Sequence, residues 1–232
     1  MTSGPEARPA SRGGQPEAPT AAAVSPAPVT PVEIAPPGGP LLRGLCWVGE
    51  PGILLLHAPG GDLDDWRDLP PLLAQRTGLG TLALDLPGHG LSAGAPADAA
   101  LARLPALVRA LLDDPAIAGV RAVVAAGESA LALLHAAAAG PLAGIVCLSP
   151  DAPGTELGPL PRSPRVPKLL LAHSGDGDDL PRTRQLANTV GGWTVVIGLA
   201  GQGPGAALLD GPAGSQSRDK IAGFLRQCLH RP

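Results

Sequence analysis

The residues able to do chemistry fall in short clusters, each just behind an apolar run. "VVAAGESALALLH", residues 123 to 135, carries Ser129 where a strand-like run meets a helix-like one. A serine on such a turn is a nucleophile if a base lies within hydrogen-bond reach, and otherwise a helix N-cap. Its neighbours must be small for strand and helix to approach. Ala125 and Gly127 fit that need, and Leu131, two residues past the serine, does not. The N–H of Ala130, at the helix start, is placed to face an oxyanion. "HSGDGDD" offers Asp178 as the acid, with Asp176 and Asp179 as rivals. Three loop aspartates also read as a turn bonding its own backbone. A calcium loop fits poorly, because the liganding positions and the terminal glutamate are missing.

The base must come from five histidines. His173 falls near the same end of the sheet, a few residues before Asp178, and its alternative reading is a histidine packed at a strand end. His57 and His89 sit in "LLLHAPGG" and "LPGHGLS", His135 lies about two turns beyond Ser129 at 3.6 residues per turn, and His230 is near the C-terminus. Cys46, Cys147 and Cys228 have no metal-like spacing, and an odd number completes no disulfide framework. They read as buried free thiols, suited to a reducing cytoplasm. No cofactor and no metal is called for.

These residues need a scaffold, and the chain alternates accordingly from about residue 41. "LLRGLCWV", "GILLLH", "GTLALDL", "RAVVAA", "GIVCLS", "KLLLAH" and "TVVIGL" read as buried strands. Near-continuous apolar strands imply a parallel sheet covered on both faces. Helix-like segments lie between them at 66–77, at 97–113 with Pro105 to kink or restart it, and at the end, where Ile221, Phe224, Leu225, Cys228 and Leu229 form one stripe. The expected fold is α/β, a mostly parallel doubly wound sheet with helices on both faces, whose site lies at the carboxyl ends of the strands.

Hydrophobic residues make up 44% of the 232, enough for a sizeable core. Charged residues are 16% with net charge −3, which excludes the basic footprint of a nucleic-acid binder. Residues 1–40, rich in Pro, Ala, Gly and Ser, carry no apolar run suited to a signal peptide or membrane span and read as a disordered tail before a domain at 41–232. The expected setting is the cytoplasm, with neither membrane nor nucleic acid as partner; the oligomeric state is open.

From about residue 50 onward the motifs resemble the α/β-hydrolase family. "LALDLPGHGLS" closely matches its Asp-x-Pro-Gly-His-Gly-x-Ser segment and is the most specific signal. "LLLHAPGGDLDDW" is similar to the oxyanion-loop segment, and "AAGESAL" falls where the nucleophile elbow belongs. "LLLAHSGDGDDLP" resembles the strand and loop delivering the triad acid, and "AGQGPGAALL" the loop delivering the histidine, in the family's chain order. The resemblance implies Ser129 as nucleophile, Asp178 as acid, and structural roles for His57 and His89.

Two departures matter. The histidine loop reads Gly201-Gln202-Gly203-Pro204-Gly205, so Pro204 stands at the histidine position. Loss of the base costs about a millionfold in turnover when nothing replaces it. The oxyanion loop has Ala58 for a glycine and Pro59, without an N–H, at the donor position; Gly60 substitutes if the loop shifts. One lost donor costs about 3 kcal/mol of transition-state stabilisation. The short "DAPGTELGPLPRSPRVP" stands where many relatives insert a helical lid, leaving an open site. Two functions follow: an esterase-derived protein with a broken triad that binds or scaffolds, or a serine hydrolase on small acyl esters with His173 as an unorthodox base. The expected ligand is a small-molecule ester or a ligand of unknown class.

Overall fold

The computed structural model describes residue 1 and residues 27–137, 142–150, 159–163, 165–175, 177–203 and 205–230. Eight strands form one sheet: β1 (Val29–Ile34), β2 (Leu42–Trp47), β3 (Pro51–Leu56), β4 (Gly80–Leu84), β5 (Ala122–Ala126), β6 (Gly144–Leu148), β7 (Lys168–His173) and β8 (Thr194–Leu199). Their spatial order is β1-β2-β4-β3-β5-β6-β7-β8. From β4 across to β8 every pairing is parallel; β1 and β2 extend the sheet antiparallel.

The strands alternate between two cores, as a period of two requires. Leu54, Leu56, Leu82, Leu84, Val123 and Ala125 face α2 (Leu104–Leu112) and α3 (Gly127–Ala136). Ile53, Leu55, Ala83, Val124 and Ala126 face α1 (Leu69–Thr77) and α5 (Gly214–Leu229). Pro105 restarts the helical segment rather than kinking it: a 3-10 turn covers Pro96–Ala99, and α2 begins with the proline in its first turn, where the missing N–H is not needed.

Two elements were not legible in the sequence. The tail expected at 1–40 contains β1, so that boundary is corrected within the described residues. Ile34 is buried in the core and pairs with Leu42. β1 was hidden because "VTPVEI" leaves most of its residues exposed and includes Pro31, which an edge strand tolerates. Residues 2–26 of the expected tail lie outside the described residues. The second is α4 (Asp179–Val190), in which Thr183 and Val190 are the buried residues, too few for a periodic apolar signal.

The order also locates the site. The chain leaves β3 for β4 on one side, then crosses to β5 on the other. The loops after β3 and β5 therefore diverge at the carboxyl end of the sheet, and the crevice between them is where ligands bind in open sheets of this kind.

Candidate functional site

The loop after β3 is pinned from below by a buried polar network. His57, fully buried, donates from Nδ1 to the Ala58 carbonyl at 2.8 Å and accepts the Leu86 N–H at Nε2 at 2.9 Å. Those partners fix a neutral tautomer, and burial pushes its pKa below the ordinary value despite the Ala58 carbonyl and Asp85. His89 repeats the pattern: Nδ1 donates to the Pro87 carbonyl at 2.8 Å, and Nε2 accepts the Gly60 N–H at 2.9 Å. Asp85, also buried, accepts the N–H groups of Leu63 and Leu91, each at 2.9 Å. Gly90 is required beside it, since a Cβ there would lie 2.0 Å from Asp85 Oδ2.

Two donors of the oxyanion loop are already engaged. The N–H of Gly60, the expected substitute donor, goes to His89; that of Gly61 goes to the Ala58 carbonyl at 3.0 Å. Ala130 is the fourth residue of α3, where helical geometry commits its N–H to the carbonyl of the cap residue Ala126.

The turn between β5 and α3 has no spacer: the strand ends at Ala126 and the helix begins at Gly127. Gly127 has φ +54°, the left-handed conformation at the apex of the turn. A Cβ on it would lie 2.9 Å from the Ala58 Cβ. Ser129 sits two residues further, inside the first helical turn. It is fully buried, and its Oγ donates to the His57 carbonyl at 2.6 Å. Leu131 is accommodated in the interior, 2% exposed.

Of the three expected triad groups, Ser129 bonds to the His57 carbonyl and Asp178 lies beside Arg182. Asp178 precedes α4 with its side chain 79% exposed and 3.5 Å from Arg182. Its neighbour Asp179 turns inward instead, accepting the Ser149 hydroxyl at 2.8 Å and the His173 backbone N–H at 2.7 Å. His173 is buried at the end of β7 beside Gly201, whose Cβ, if present, would lie 2.9 Å from Nδ1. Asp176 and Pro204 fall outside the described residues. Their loop neighbour Gly205 is described, with φ +52°. A Cβ there would stand 3.4 Å from the Gly127 nitrogen and 3.6 Å from the Ala58 Cβ, so a side chain at 205 would stand over the turn.

A cleft of about 540 Å³ opens above this turn. Gly127 and Glu128 line it, with Ala58–Gly61, Asp65 and Arg67 on one wall and Ala206, Ala207 and Asp210 on the other. Of the sequence candidates Gly60 lines it; Ser129, Ala130, His173 and Asp178 do not. The charged residues Asp65, Arg67, Glu128 and Asp210 were missed by the sequence reading. Asp65 and Glu128 lie inside the quoted motifs, and Arg67 and Asp210 directly follow two of them, a position that could have drawn attention to them. The cleft can hold a small ligand, and the acids and bases among its described lining residues are carboxylates and a guanidinium. Among the described residues no group of three or more His, Cys, Asp or Glu is placed to hold a metal ion, and no helix is long and apolar enough to cross a membrane.

A doubly wound sheet with a strand-to-helix turn beneath a carboxyl-end cleft defines the class to which this chain belongs. A model of the alpha/beta hydrolase family matches residues 53–228, and the chain is a member of that family. Among solved structures it is similar to a predicted CIB-like hydrolase from Thermoplasma acidophilum (TM-score 0.70, 17% identity, covering 87% of this chain and 99% of that one). It is also similar to EstE1, a thermophilic carboxylesterase from a metagenomic library (TM-score 0.63, 17% identity, 89% and 91%). At such identities the likeness is one of fold. A nearer sequence match is the dihydrolipoyllysine-residue acetyltransferase component of an acetoin cleaving system from Pseudomonas putida, 46% identical over 84 residues. That match covers 35% of this chain and 22% of that protein, so the chain spans about a fifth of the length of this relative.

Proposed function

We propose that this chain is a non-hydrolytic member of its family, whose cleft binds a small acyl compound without turning it over. The observation that carries the reading is Gly127: the apex of the elbow, where a nucleophile's side chain would stand, is a glycine at φ +54°. On this reading Ser129 takes the small-residue position two places past the apex, which also removes the difficulty of Leu131. Its proton is donated to a carbonyl, which cannot act as a base, and its oxygen is sealed from the cleft. Asp178 and His173 are then surface and packing residues, and the base position is empty whether it falls at Pro204 or at Gly205. The acyl chemistry in the names of the acetyltransferase component and the carboxylesterase favours an acyl ligand.

The test is a serine-directed fluorophosphonate together with 4-nitrophenyl acetate. The purified chain is expected not to label, and its ester turnover is expected to equal that of Ser129→Ala. Brisk turnover that disappears in Ser129→Ala would overturn the proposal in favour of an active hydrolase.

A further inference from the structure

One contact joins the two walls of the cleft at its rim. Arg67 follows the 3-10 turn Leu63–Trp66 on one wall. Asp210 lies on the other, between the 3-10 turn Gly205–Leu209 and α5. Both side chains line the cleft and are half-exposed. Arg67 Nε donates to Asp210 Oδ1 at 3.1 Å, Nη2 to Oδ2 at 3.5 Å, and Nη1 to the Asp64 carbonyl at 3.1 Å. Its backbone stands at φ 53°, ψ −126°, the left-handed side that a long side chain rarely adopts. Two further pairs continue along the same seam, Asp68 with Arg218 at 3.2 Å and Arg76 with Asp219 at 3.5 Å.

We propose that the Arg67–Asp210 contact is an ionic strap that sets access to the cleft, closed in this structure and released when the pair is screened or broken. The proposal concerns regulation of the cleft and rests on reading that cleft as the ligand site. A strained backbone persists only where its surroundings hold it. Here Arg67 is held by the fork on Asp210, by side-chain and backbone N–H bonds to the Asp64 carbonyl, and by the fully buried Trp66 before it. An exposed ion pair contributes little in water and is weakened by salt. The exposed pair is thus the part of that hold that salt can loosen. Release frees the Arg67 side chain from the opposite wall. The turn Leu63–Trp66 moves with it, carrying Asp65 on the same wall.

Hydrogen–deuterium exchange on the full chain without ligand reads the strap directly. Its failure would leave the fluorophosphonate result, and so the reading of the cleft, untouched. Raising NaCl from about 25 mM to about 500 mM, and separately Asp210→Asn at low salt, are each expected to raise exchange in segments 60–67 and 205–210. The expected rise is about fivefold, as local opening rather than global unfolding. β5 and β6 should not change. Glu33→Gln, which breaks the exposed Glu33–Arg43 pair elsewhere on the surface, serves as the control and should leave both segments as they were. No rise in either condition, or a rise shared by β5 and β6, overturns the proposal.

Discussion

The hydroxyl of Ser129 illustrates how one side chain can carry a motif's appearance and a different job. Buried and donating to the carbonyl of His57, it ties α3 to the loop after β3. Ser129→Ala leaves that carbonyl without its donor, and the expected loss is about 1–3 kcal/mol of stability. A denaturant midpoint checks this, and ester turnover should not move. His57 itself carries a pH consequence. Burial holds its folded pKa below the ordinary value of about 6.5. As pH falls, the unfolded chain therefore takes the proton first. The neutral imidazole's contribution is complete above about pH 6.5 and is lost as pH falls from there through the folded value. The ring resonances of His57 should titrate at lower pH than those of a histidine in the unfolded chain, while the thermal midpoint declines as pH falls below about 6.5. Titration of His57 at the ordinary value would show that burial is not holding it neutral.

At the scale of elements, the strand-turn-helix unit was legible but its register was not. "RAVVAA" reads as a strand and the run after it as a helix, and both are present as β5 and α3. What composition could not show is that the helix begins at Gly127 with no spacer, which puts Ser129 inside it. The same limit hid Asp179 behind Asp178: adjacent aspartates look alike in a sequence, and only the start of α4 turns one outward and the next inward. β1 and α4 were missed for a shared reason, namely that elements with few buried residues leave little periodic trace. The proposed register can be tested by rebuilding the site. Gly127→Ser alone meets the Ala58 Cβ at 2.9 Å and should lower stability without labelling. Ala58→Gly, Gly127→Ser and Gly205→His together remove that clash and place an imidazole over the turn, and this variant should react with the fluorophosphonate. A folded triple variant that stays unlabelled would argue against Gly127 as the apex.

For the whole molecule, the antiparallel edge decides where the domain begins. Deleting residues 1–26 is expected to leave the thermal midpoint nearly unchanged. Deleting 1–40 removes β1 and the buried Ile34. Removing the Ile34 side chain alone should cost about 2–5 kcal/mol, or roughly 2–4 °C of midpoint per kcal/mol for a domain of this size. Equal midpoints for the two truncations would mean that β1 adds nothing to the fold. The strand order has a further consequence, for a chain folding as it is synthesised. Once β4 has emerged, the antiparallel side, β1-β2-β4-β3, has all its strands. Every later strand, β5 to β8, then joins one growing border in the order in which it leaves the ribosome. β5, β6 and β7 are buried along their whole length, so each is an adhesive border until its successor arrives. β8, half-exposed over most of its length, is the strand on which that growth can stop in water.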